Sequence, residues 1–284
     1  MNFYDDLVMQ TQMNYSKYYH IYASGSTPYQ LTDKKPLPYS EQINRLIQEV
    51  KEADCVVVGG ASGLSAAGGG DFYYEDNDSY RKYFRPFAEK YQFKGAFAGM
   101  MHQWETREEY WGYLATFLHT TQTAPVRHPY LDLDALLKGK DFFILTTNQD
   151  TQFVKLYPEE VVPRCLDCGR VLVPWVRDDT FLEGTLWQDN LHRYYRFLRR
   201  WIMDQTDKKV LLLELGVGEM TPSIIKLPFW ELTAKNENVF YACLNREASH
   251  RPEHLRGRSL YLQGDLAETL AALRQERSIA ANIK

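Results

Sequence analysis

Six glycines lie within the twelve positions from Gly59 to Gly70, directly after three consecutive valines at 56–58. A β-branched run followed by glycines predicts a buried strand that enters a tight turn, where the backbone must approach another group closely. Backbone N–H groups at the start of a helix bind anions when no side chain stands in the way. We therefore predict a phosphate-binding turn, since an ordinary turn would not need six glycines.

Two familiar phosphate-binding motifs do not fit this segment. The dehydrogenase motif requires G-x-G-x-x-G and an acidic residue about 20 positions later. Here the first three glycines are Gly59, Gly60 and Gly63, and no strand that ends in an acidic residue follows. A Walker loop closes with Lys-Ser or Lys-Thr, and this segment does not. The turn therefore belongs to neither class.

The glycine-rich segment instead resembles the sirtuin motif GAGxSxxSGIPDFR, which aligns with it without a gap. The stretch reads Gly60-Ala61-Ser62, then Ala67-Gly68, then Asp71-Phe72. It departs from the motif at the third glycine, where Ser62 stands, at the Ile-Pro pair, and at the final arginine, where Tyr73 stands. The missing arginine leaves one polar contact of the family without a counterpart here.

Four further segments match sirtuins in the same order, each beside the end of a predicted strand. They are TTNQD at 146–150, Gly216-Val217-Gly218, Leu244-Asn245-Arg246 and Gly264-Asp265-Leu266. One such match would mean little, but five in order are specific, and they extend the resemblance from about Pro38 to about Ala272. The stretches TTNQD, GVGEMTPSIIKLPFW and PWVRxxxFLEG further resemble the macrodomain-linked branch of bacterial sirtuins.

This resemblance implies both a fold and an activity. The fold is a Rossmann-like, doubly wound parallel sheet with a smaller helical and zinc-ribbon module; the alternation of strands and helices along the chain predicts the same α/β class. The activity is transfer of ADP-ribose from NAD to a protein acceptor, with release of nicotinamide. The implied acceptor is a lipoylated carrier related to glycine cleavage protein H, and the implied functional partner is a macrodomain hydrolase.

Two other functions stay open at this point. NAD-dependent lysine deacylation would require a histidine base in an HG motif after Asn148, and the sequence has none there. A non-catalytic sensor of NAD or ADP-ribose would not need such a base.

Asn148 and Asp150 are the predicted catalytic residues. A polar turn after a buried strand is by default an Asx turn. However, an amide such as Asn148 can hydrogen-bond ribose hydroxyls or order a water, and a carboxylate such as Asp150 can orient that amide or balance developing positive charge. The resemblance implies that the pair acts at the nicotinamide ribose.

The other predicted NAD contacts also follow from the resemblance. Phe72 would shield the reacting ribose from water, the alternative being a loop aromatic folded onto the core. Asn245 would bind the ribose of the adenosine half, and Asp265 and Leu266 would close over adenine. The predicted cofactor-binding residues are Gly60, Ala61, Ser62, Ala67, Asp71, Phe72, Asn148, Asp150, Gly216, Val217, Gly218, Asn245, Arg246, Asp265 and Leu266.

Cys165 and Cys168 form a C-x-x-C-G sequence, which is typical of half a zinc knuckle. Structural zinc requires four ligands, and the other two cysteines, Cys55 and Cys243, lie in predicted core strands. In the macrodomain-linked branch, a segment with a Gln-Gly-Asp sequence and two more cysteines precedes this pair. We interpret the junction of Glu160 and Val161 as a join across an omitted segment rather than a natural deletion, and expect a backbone break there.

The elements that must position these residues are arranged as follows. Strands are predicted at 55–58, 141–146, 210–215, 239–243 and 259–262, and helices at 40–51, within 79–121, at 185–204 and at 265–277, with Ser40 and Asp265 as N-caps of the first and last. The predicted domains are an N-terminal extension (1–37), an NAD-binding domain (38–72, 131–160 and 205–284) and a small module (73–130 and 161–204).

Composition limits the class of protein. A chain of 284 residues with 44% hydrophobic residues suits one α/β domain with a smaller insertion. A net charge of −4 and a pI near 6.0 argue against nucleic-acid binding. No signal peptide and no apolar run approaching 18 residues are visible, and four cysteines do not form a disulfide scaffold. We therefore expect a cytoplasmic protein without a membrane partner.

Overall fold

A computed structural model describes residues 38–69, 72–73, 75–158, 193, 196–205, 207–218, 222, 224–246, 252, 255 and 257–282. Several sequence predictions lie outside these residues: the N-terminal extension, Asp71, the junction of Glu160 and Val161, and the pair Cys165 and Cys168.

Within the described residues, five parallel strands form one sheet in the order β2-β1-β3-β4-β5. They are β1 (Cys55–Gly60), β2 (Asp141–Thr146), β3 (Val210–Leu215), β4 (Val239–Asn245) and β5 (Ser259–Gln263). The predicted bounds of β2 and β3 are confirmed. The other three strands run one or two residues further than predicted, because pairing with both neighbours continues into Gly59 and Gly60 in β1. The predicted doubly wound class is confirmed.

Nine α-helices surround and extend this sheet in the described part of the chain. They are α1 (Tyr39–Glu52), α2 (Ser62–Ala67), α3 (Asp78–Tyr91), α4 (Ala96–Met100), α5 (Arg107–Thr123), α6 (His128–Leu137), α7 (Gln152–Leu156), α8 (Lys226–Lys235) and α9 (Leu266–Asn282), with a π-helical turn at Arg199–Met203. The predicted helix ranges do not include α2, α6, α7 or α8.

Each strand contributes to a core on both faces of the sheet, since successive side chains point in opposite directions. Val56 and Val58 of β1 belong to the core under α1, α6 and α9, which also contains Tyr130. Cys55 and Val57 belong to the opposite core, under α8. A parallel sheet buried on both faces explains why its strands read as nearly continuous apolar runs.

Helices α3, α4 and α5 form a separate aromatic core with the end of the glycine-rich segment. Its buried members are Phe72, Tyr80, Phe84, Phe93, Ala96, Tyr113 and Phe117. Two backbone hydrogen bonds join that segment to α4, from the N–H of Ala96 to the carbonyl of Phe72 and from Phe97 to Tyr73, both at 2.8 Å. Three helices, α3, α4 and α5, therefore replace the long helical pattern predicted within 79–121, and they pack against the end of the glycine-rich segment.

Two details differ from the sequence predictions. Helix α1 begins at Tyr39 with Pro38 at the N-cap position, so Ser40 lies in the first turn and does not cap. Trp201 and Ile202, which the sequence assigned to the small module, pack in the core under α8. Their apolar side chains are buried better against the sheet than on a module surface.

In the part of the chain that the structure describes, no helix combines the length and apolar character needed to cross a bilayer.

Candidate active site

The turns that follow β1 and β3 touch each other at the carboxyl edge of the sheet. A Cβ added to Gly63 would lie 2.7 Å from the Cα of Gly216, so only glycines permit this approach. Gly216 also has a φ of +66°, which disfavours other residues. Strands β2 and β3 flank β1 on opposite sides, and the chain order reverses there. Ligands of open α/β sheets bind at such a switch point.

The first turn uses most of its own N–H groups within the protein. Ala61 donates to the carbonyl of Leu215, Gly63 to Gly216, and Leu64 to Ala61, at 2.9–3.0 Å. Fewer N–H groups of this turn are therefore left to bind a phosphate than the number of glycines suggested. Its glycines serve mainly to bring the two turns together, and Ser62 and Ala67 lie on α2, half-buried.

Asn148 lies just past the carboxyl end of β2, as predicted. Its side-chain nitrogen Nδ2 donates to the carbonyl of Ala61 at 2.9 Å and to the hydroxyl of Tyr130 at 3.1 Å. Its backbone N–H donates to Oγ1 of Thr146 at 3.0 Å. The side chain is half-buried. The amide is therefore held beside the turn after β1 and oriented through its nitrogen.

Asp150 is almost fully buried, with 2% exposure, and three side chains surround its Oδ2 atom. The Tyr130 hydroxyl donates to Oδ2 at 2.6 Å, the Ser65 hydroxyl also donates to it, and Nη1 of Arg127 lies 3.9 Å away. The other oxygen, Oδ1, accepts from the N–H of Gln152 at 3.2 Å, as in an Asx turn. Asp150 thus forms an Asx turn through one oxygen and accepts from a buried hydrogen-bond network through the other.

Burial shifts the pKa values of two groups in and beside this network, Tyr130 and Lys155. Burial, followed by the charge of Asp150, raises the pKa of Tyr130 well above its usual value. Burial and then the neighbouring Arg127 lower the pKa of Lys155, which donates to the carbonyl of Thr121 at 2.9 Å. Tyr130 therefore stays protonated at neutral pH and acts as a hydrogen-bond donor to Asp150.

The residues predicted to contact adenosine lie partly at the ends of elements and partly in the core. Asn245 ends β4, and its Nδ2 donates to the carbonyl of Val217 at 2.9 Å, which ties together the turns after β3 and β4. Asp265 is confirmed as an N-cap, because its Oδ1 accepts from the N–H groups of Ala267 and Glu268. Leu266 is 3% exposed in the core under α9.

Arg246 and Gly218 are exposed at the same edge of the sheet. The structure thus brings Gly60, Ala61, Gly216, Val217 and Asn245 close together. Leu266, in contrast, has a packing role in this arrangement.

Phe72 points into the aromatic core of α3–α5 and is 2% exposed. Its ring stacks on Tyr73 at a centroid distance of 4.4 Å and on Phe84 at 5.8 Å. The guanidinium of Arg127 lies 6.0 Å from the ring centroid. Phe72 thus matches the alternative prediction, in which its ring folds onto the core. The ring could shield a ribose only if the loop that carries it moved.

Sequence reasoning missed Ser65, Arg127 and Tyr130. Ser65 and Arg127 carried no motif of their own, and Tyr130 reads as an ordinary apolar position of α6. A partial signal existed, since Ser65 lies within the glycine-rich segment and buried polar residues must find partners. The described residues contain no group of three or more His, Cys, Asp or Glu side chains that could hold a metal ion.

Comparisons with known proteins found relatives in sequence and in fold. A curated relative from Staphylococcus aureus (strain Mu50 / ATCC 700699), called protein ADP-ribosyltransferase, is 28% identical over 292 residues, which cover 86% of this chain and 90% of the relative. Because this stretch exceeds the 284 residues of the chain, the alignment contains gaps. A protein from Fusarium oxysporum f. sp. cubense, called a probable bifunctional ADP-ribose hydrolase/ADP-ribosyltransferase, is 22% identical over 66% of this chain, which spans only 39% of that relative. No family model matches.

Among solved structures, a Sir2 homologue in complex with ADP-ribose has a TM-score of 0.49 and 17% identity, over 84% of this chain and 98% of its own. Sir2Tm bound to a propionylated peptide has a TM-score of 0.44 and 15% identity, over 84% and 99%.

The fold is that of a doubly wound α/β protein, and the candidate site lies at the switch point of its parallel sheet, where such folds bind ligands. The segments that match sirtuins in order follow the strands of this sheet, and those after β1, β2, β3 and β4 meet at one edge. This arrangement agrees with the resemblance to sirtuins that the sequence motifs indicate.

Proposed function

We propose that this protein transfers ADP-ribose from NAD to a protein acceptor and releases nicotinamide. The observation that carries the proposal is the placement of Asn148 against the turn after β1, with Asp150 buried behind it. The name of the staphylococcal relative supports transfer as the reaction class. The same site would bind NAD through the turns after β1, β3 and β4.

The reaction breaks the bond between C1′ of the nicotinamide ribose and the ring nitrogen, and the electron pair leaves with nicotinamide. The acceptor nucleophile then forms a bond to C1′ and loses its proton. Asn148 contributes its oxygen, Oδ1, because its nitrogen already donates to Ala61 and Tyr130. An amide oxygen can accept from a ribose hydroxyl or lie against the positive charge that develops at C1′.

Asn148→Ala tests this assignment. We expect nicotinamide release to fall by about 10²–10³, the usual scale for removal of one polar group that acts in the transition state. NAD affinity, measured by calorimetry, should change only a few-fold, because the lost contact matters mainly when the bond breaks. Asn238→Ala is a matched control, since Asn238 lies next to the opposite end of β4 and donates to the carbonyl of Lys208.

Labelled NAD separates the transferase from its alternatives. Label on a protein supports transfer, acyl-ADP-ribose formed from an acylated peptide supports deacylation, and NAD retained without nicotinamide release supports a sensor. If Asn148→Ala loses only NAD affinity, Asn148 is a binding residue and the proposed mechanism is wrong.

The finer assignments follow the macrodomain-linked branch. We propose a lipoylated carrier related to glycine cleavage protein H as acceptor and a macrodomain hydrolase as the enzyme that reverses the modification. The Fusarium relative supports this pairing, because its name combines an ADP-ribose hydrolase with an ADP-ribosyltransferase. Incubation of a lipoylated and an unlipoylated carrier with labelled NAD tests the acceptor directly.

Zinc is a separate part of this proposal. Cys165 and Cys168 supply two thiolates, whereas a structural site uses four ligands. Elemental analysis of the purified protein and of Cys165→Ser checks whether the pair holds metal. A cytoplasmic location remains the expectation from sequence.

A further inference from the structure

Tyr130 is the only side chain in the described network that contacts both predicted catalytic residues. Its hydroxyl lies 3.1 Å from Nδ2 of Asn148 and 2.6 Å from Oδ2 of Asp150. Tyr130 lies on α6, has 0% exposure and belongs to none of the sirtuin-like segments. Asn148 and Asp150 have no direct hydrogen bond in the described structure, so the tyrosine joins them.

The direction of each hydrogen bond in this chain follows from counting hydrogens. A protonated tyrosine has one hydroxyl hydrogen, and the Asp150 carboxylate can only accept. Tyr130 therefore donates to Asp150 and accepts from Asn148. The second hydrogen on Nδ2 goes to the carbonyl of Ala61, which also can only accept. Both amide hydrogens of Asn148 are thereby used, and the amide cannot flip without placing two oxygens against each other.

We propose that Tyr130 is a positioning residue that fixes the amide of Asn148 with Oδ1 directed to the substrate. This inference rests on the proposed function and adds a residue to it. The buried carboxylate of Asp150 polarises the tyrosine hydroxyl, which strengthens its hold on the Asn148 nitrogen. Asp150 thus acts on the reacting ribose through two hydrogen bonds, without touching the substrate itself.

A purely structural role for Tyr130 is the competing explanation. The ring packs edge-on against Phe153 at a centroid distance of 4.9 Å and lies in the core beneath α6. Tyr130→Phe keeps this ring and removes only the hydroxyl. A packing role therefore predicts an unchanged turnover in this variant, whereas a positioning role predicts a loss.

The experiment measures nicotinamide release and NAD binding for Tyr130→Phe. We expect kcat to fall about 10-fold, the scale for one hydrogen bond within a charged network, with KM and calorimetric affinity for NAD within about 3-fold. Tyr157→Phe is the matched control, because the Tyr157 hydroxyl donates to Asp134 at 2.8 Å outside the network around Asp150. The control should retain the wild-type kcat.

A double-mutant comparison identifies the residue through which Tyr130 acts. In the Asn148→Ala background, Tyr130→Phe should lower the remaining release less than 2-fold, since there is no amide left to position. An undiminished 10-fold effect in that background would overturn the inference. So would a fall in kcat that merely follows a loss of folded protein in thermal melts.

The failure of this inference and that of the proposed function give different results. Wild-type release with equal release from Tyr130→Phe overturns the inference alone. If the wild type binds NAD but releases no nicotinamide with any acceptor offered, the proposed function fails and the inference fails with it.

Discussion

At the scale of single residues, the orientation of one amide decides what the site can do. Asn148 directs its nitrogen to Ala61 and Tyr130, so under the proposed function its oxygen is the group that faces the substrate. Charge alone at this position would not reproduce that arrangement. A carboxylate in place of the amide would present an oxygen to the Ala61 carbonyl, where a donor is needed.

Asn148→Asp therefore separates orientation from charge. We expect nicotinamide release to fall by about 10²–10³, similar to the loss in Asn148→Ala, because the carboxylate loses both donated hydrogen bonds. The measurement is the steady-state rate of nicotinamide release at neutral pH. Near wild-type activity in Asn148→Asp would mean that negative charge beside C1′ is sufficient, and that the hydrogen bonds of Nδ2 are unimportant.

The Asp150 carboxylate also contributes to the stability of the folded protein. The side chain of Arg127 is 13% exposed and has Asp150 as its ion-pair partner at 3.9 Å. Asp150→Ala would leave this cation and two buried hydroxyl groups without their acceptor.

We expect the free energy of unfolding to fall by about 3 kcal/mol in Asp150→Ala, the range for breaking a buried pair from one side. Urea denaturation monitored by circular dichroism gives this value. Asp134→Ala is the control: Asp134 is exposed although it also accepts from a tyrosine, so its loss should be below about 1 kcal/mol. Equal losses in the two variants would contradict the buried network.

Sequence reasoning found Asn148 and Asp150 because they lie two positions apart at the end of one strand. It did not find Tyr130 and Ser65, which precede Asp150 by 20 and 85 positions and reach it only in the folded chain. A hydroxyl group in an apolar helix gives no local signal of its partner. Local motifs therefore identify candidate residues that lie close together in the sequence, whereas the partners that support them depend on tertiary packing.

At the scale of elements, the contact between the turns after β1 and β3 shapes the site. Gly63 and Gly216 meet through their backbones, and the N–H of Gly63 donates to the carbonyl of Gly216 at 3.0 Å. The glycines were predicted as a phosphate cradle. The structure shows that at least these two are required for close approach of two elements.

Gly63→Ala should therefore disturb the site. The added Cβ would lie 2.7 Å from the backbone of Gly216, which cannot rotate away. We therefore expect the free energy of unfolding to fall by about 1–3 kcal/mol, the range for overpacking. We also expect weaker NAD binding. Gly112→Ala is the matched control, since nothing lies within 4 Å of its Cβ position on α5, and it should be neutral or stabilising by up to about 1 kcal/mol. Calorimetric NAD titration and urea denaturation check both variants. Unchanged NAD affinity in Gly63→Ala would show that the two turns separate without harm to the site.

Strands were easier to predict than helices in this chain. The runs of β2 and β3 are apolar and bounded by polar residues, so their limits follow from sequence. Helix α8 begins with a lysine, Lys226, that is 1% exposed and pairs with the buried Glu214 of β3 at 2.7 Å. A buried ion pair interrupts the apolar periodicity that would reveal a helix, which explains why α8 was missed.

At the scale of the whole molecule, the two cores of the sheet exclude water from several ionisable groups. Cys243 of β4 has 1% exposure, and its thiol donates to Oε1 of Glu214 at 3.3 Å. Burial, followed by the charge of Glu214, raises the pKa of this thiol from 9.0 to about 12. Tyr241, which donates to the same carboxylate at 2.6 Å, has its pKa raised well above 10.0 by burial.

These raised pKa values predict a loss of stability at alkaline pH. Consider a group whose pKa is higher in the folded state than in the unfolded state. At every pH below the unfolded-state pKa, this group does not reduce the stability of the protein. Above that value the unfolded chain releases the proton while the folded chain holds it. For Cys243 the window runs from pH 9.0 to about 12, and one such group lowers the unfolding free energy by about 1.4 kcal/mol per pH unit within it.

Cys243→Ala isolates this contribution from those of the other buried groups. Urea denaturation of the wild type at pH 8, 9, 10 and 11 should show a decline that steepens above pH 9. In Cys243→Ala the decline should be shallower by about 1.4 kcal/mol per pH unit, because one titrating group is gone while Glu214 keeps Lys226 and Tyr241. Parallel pH profiles for the two proteins would mean that the thiol titrates normally and that water reaches the core beneath α8.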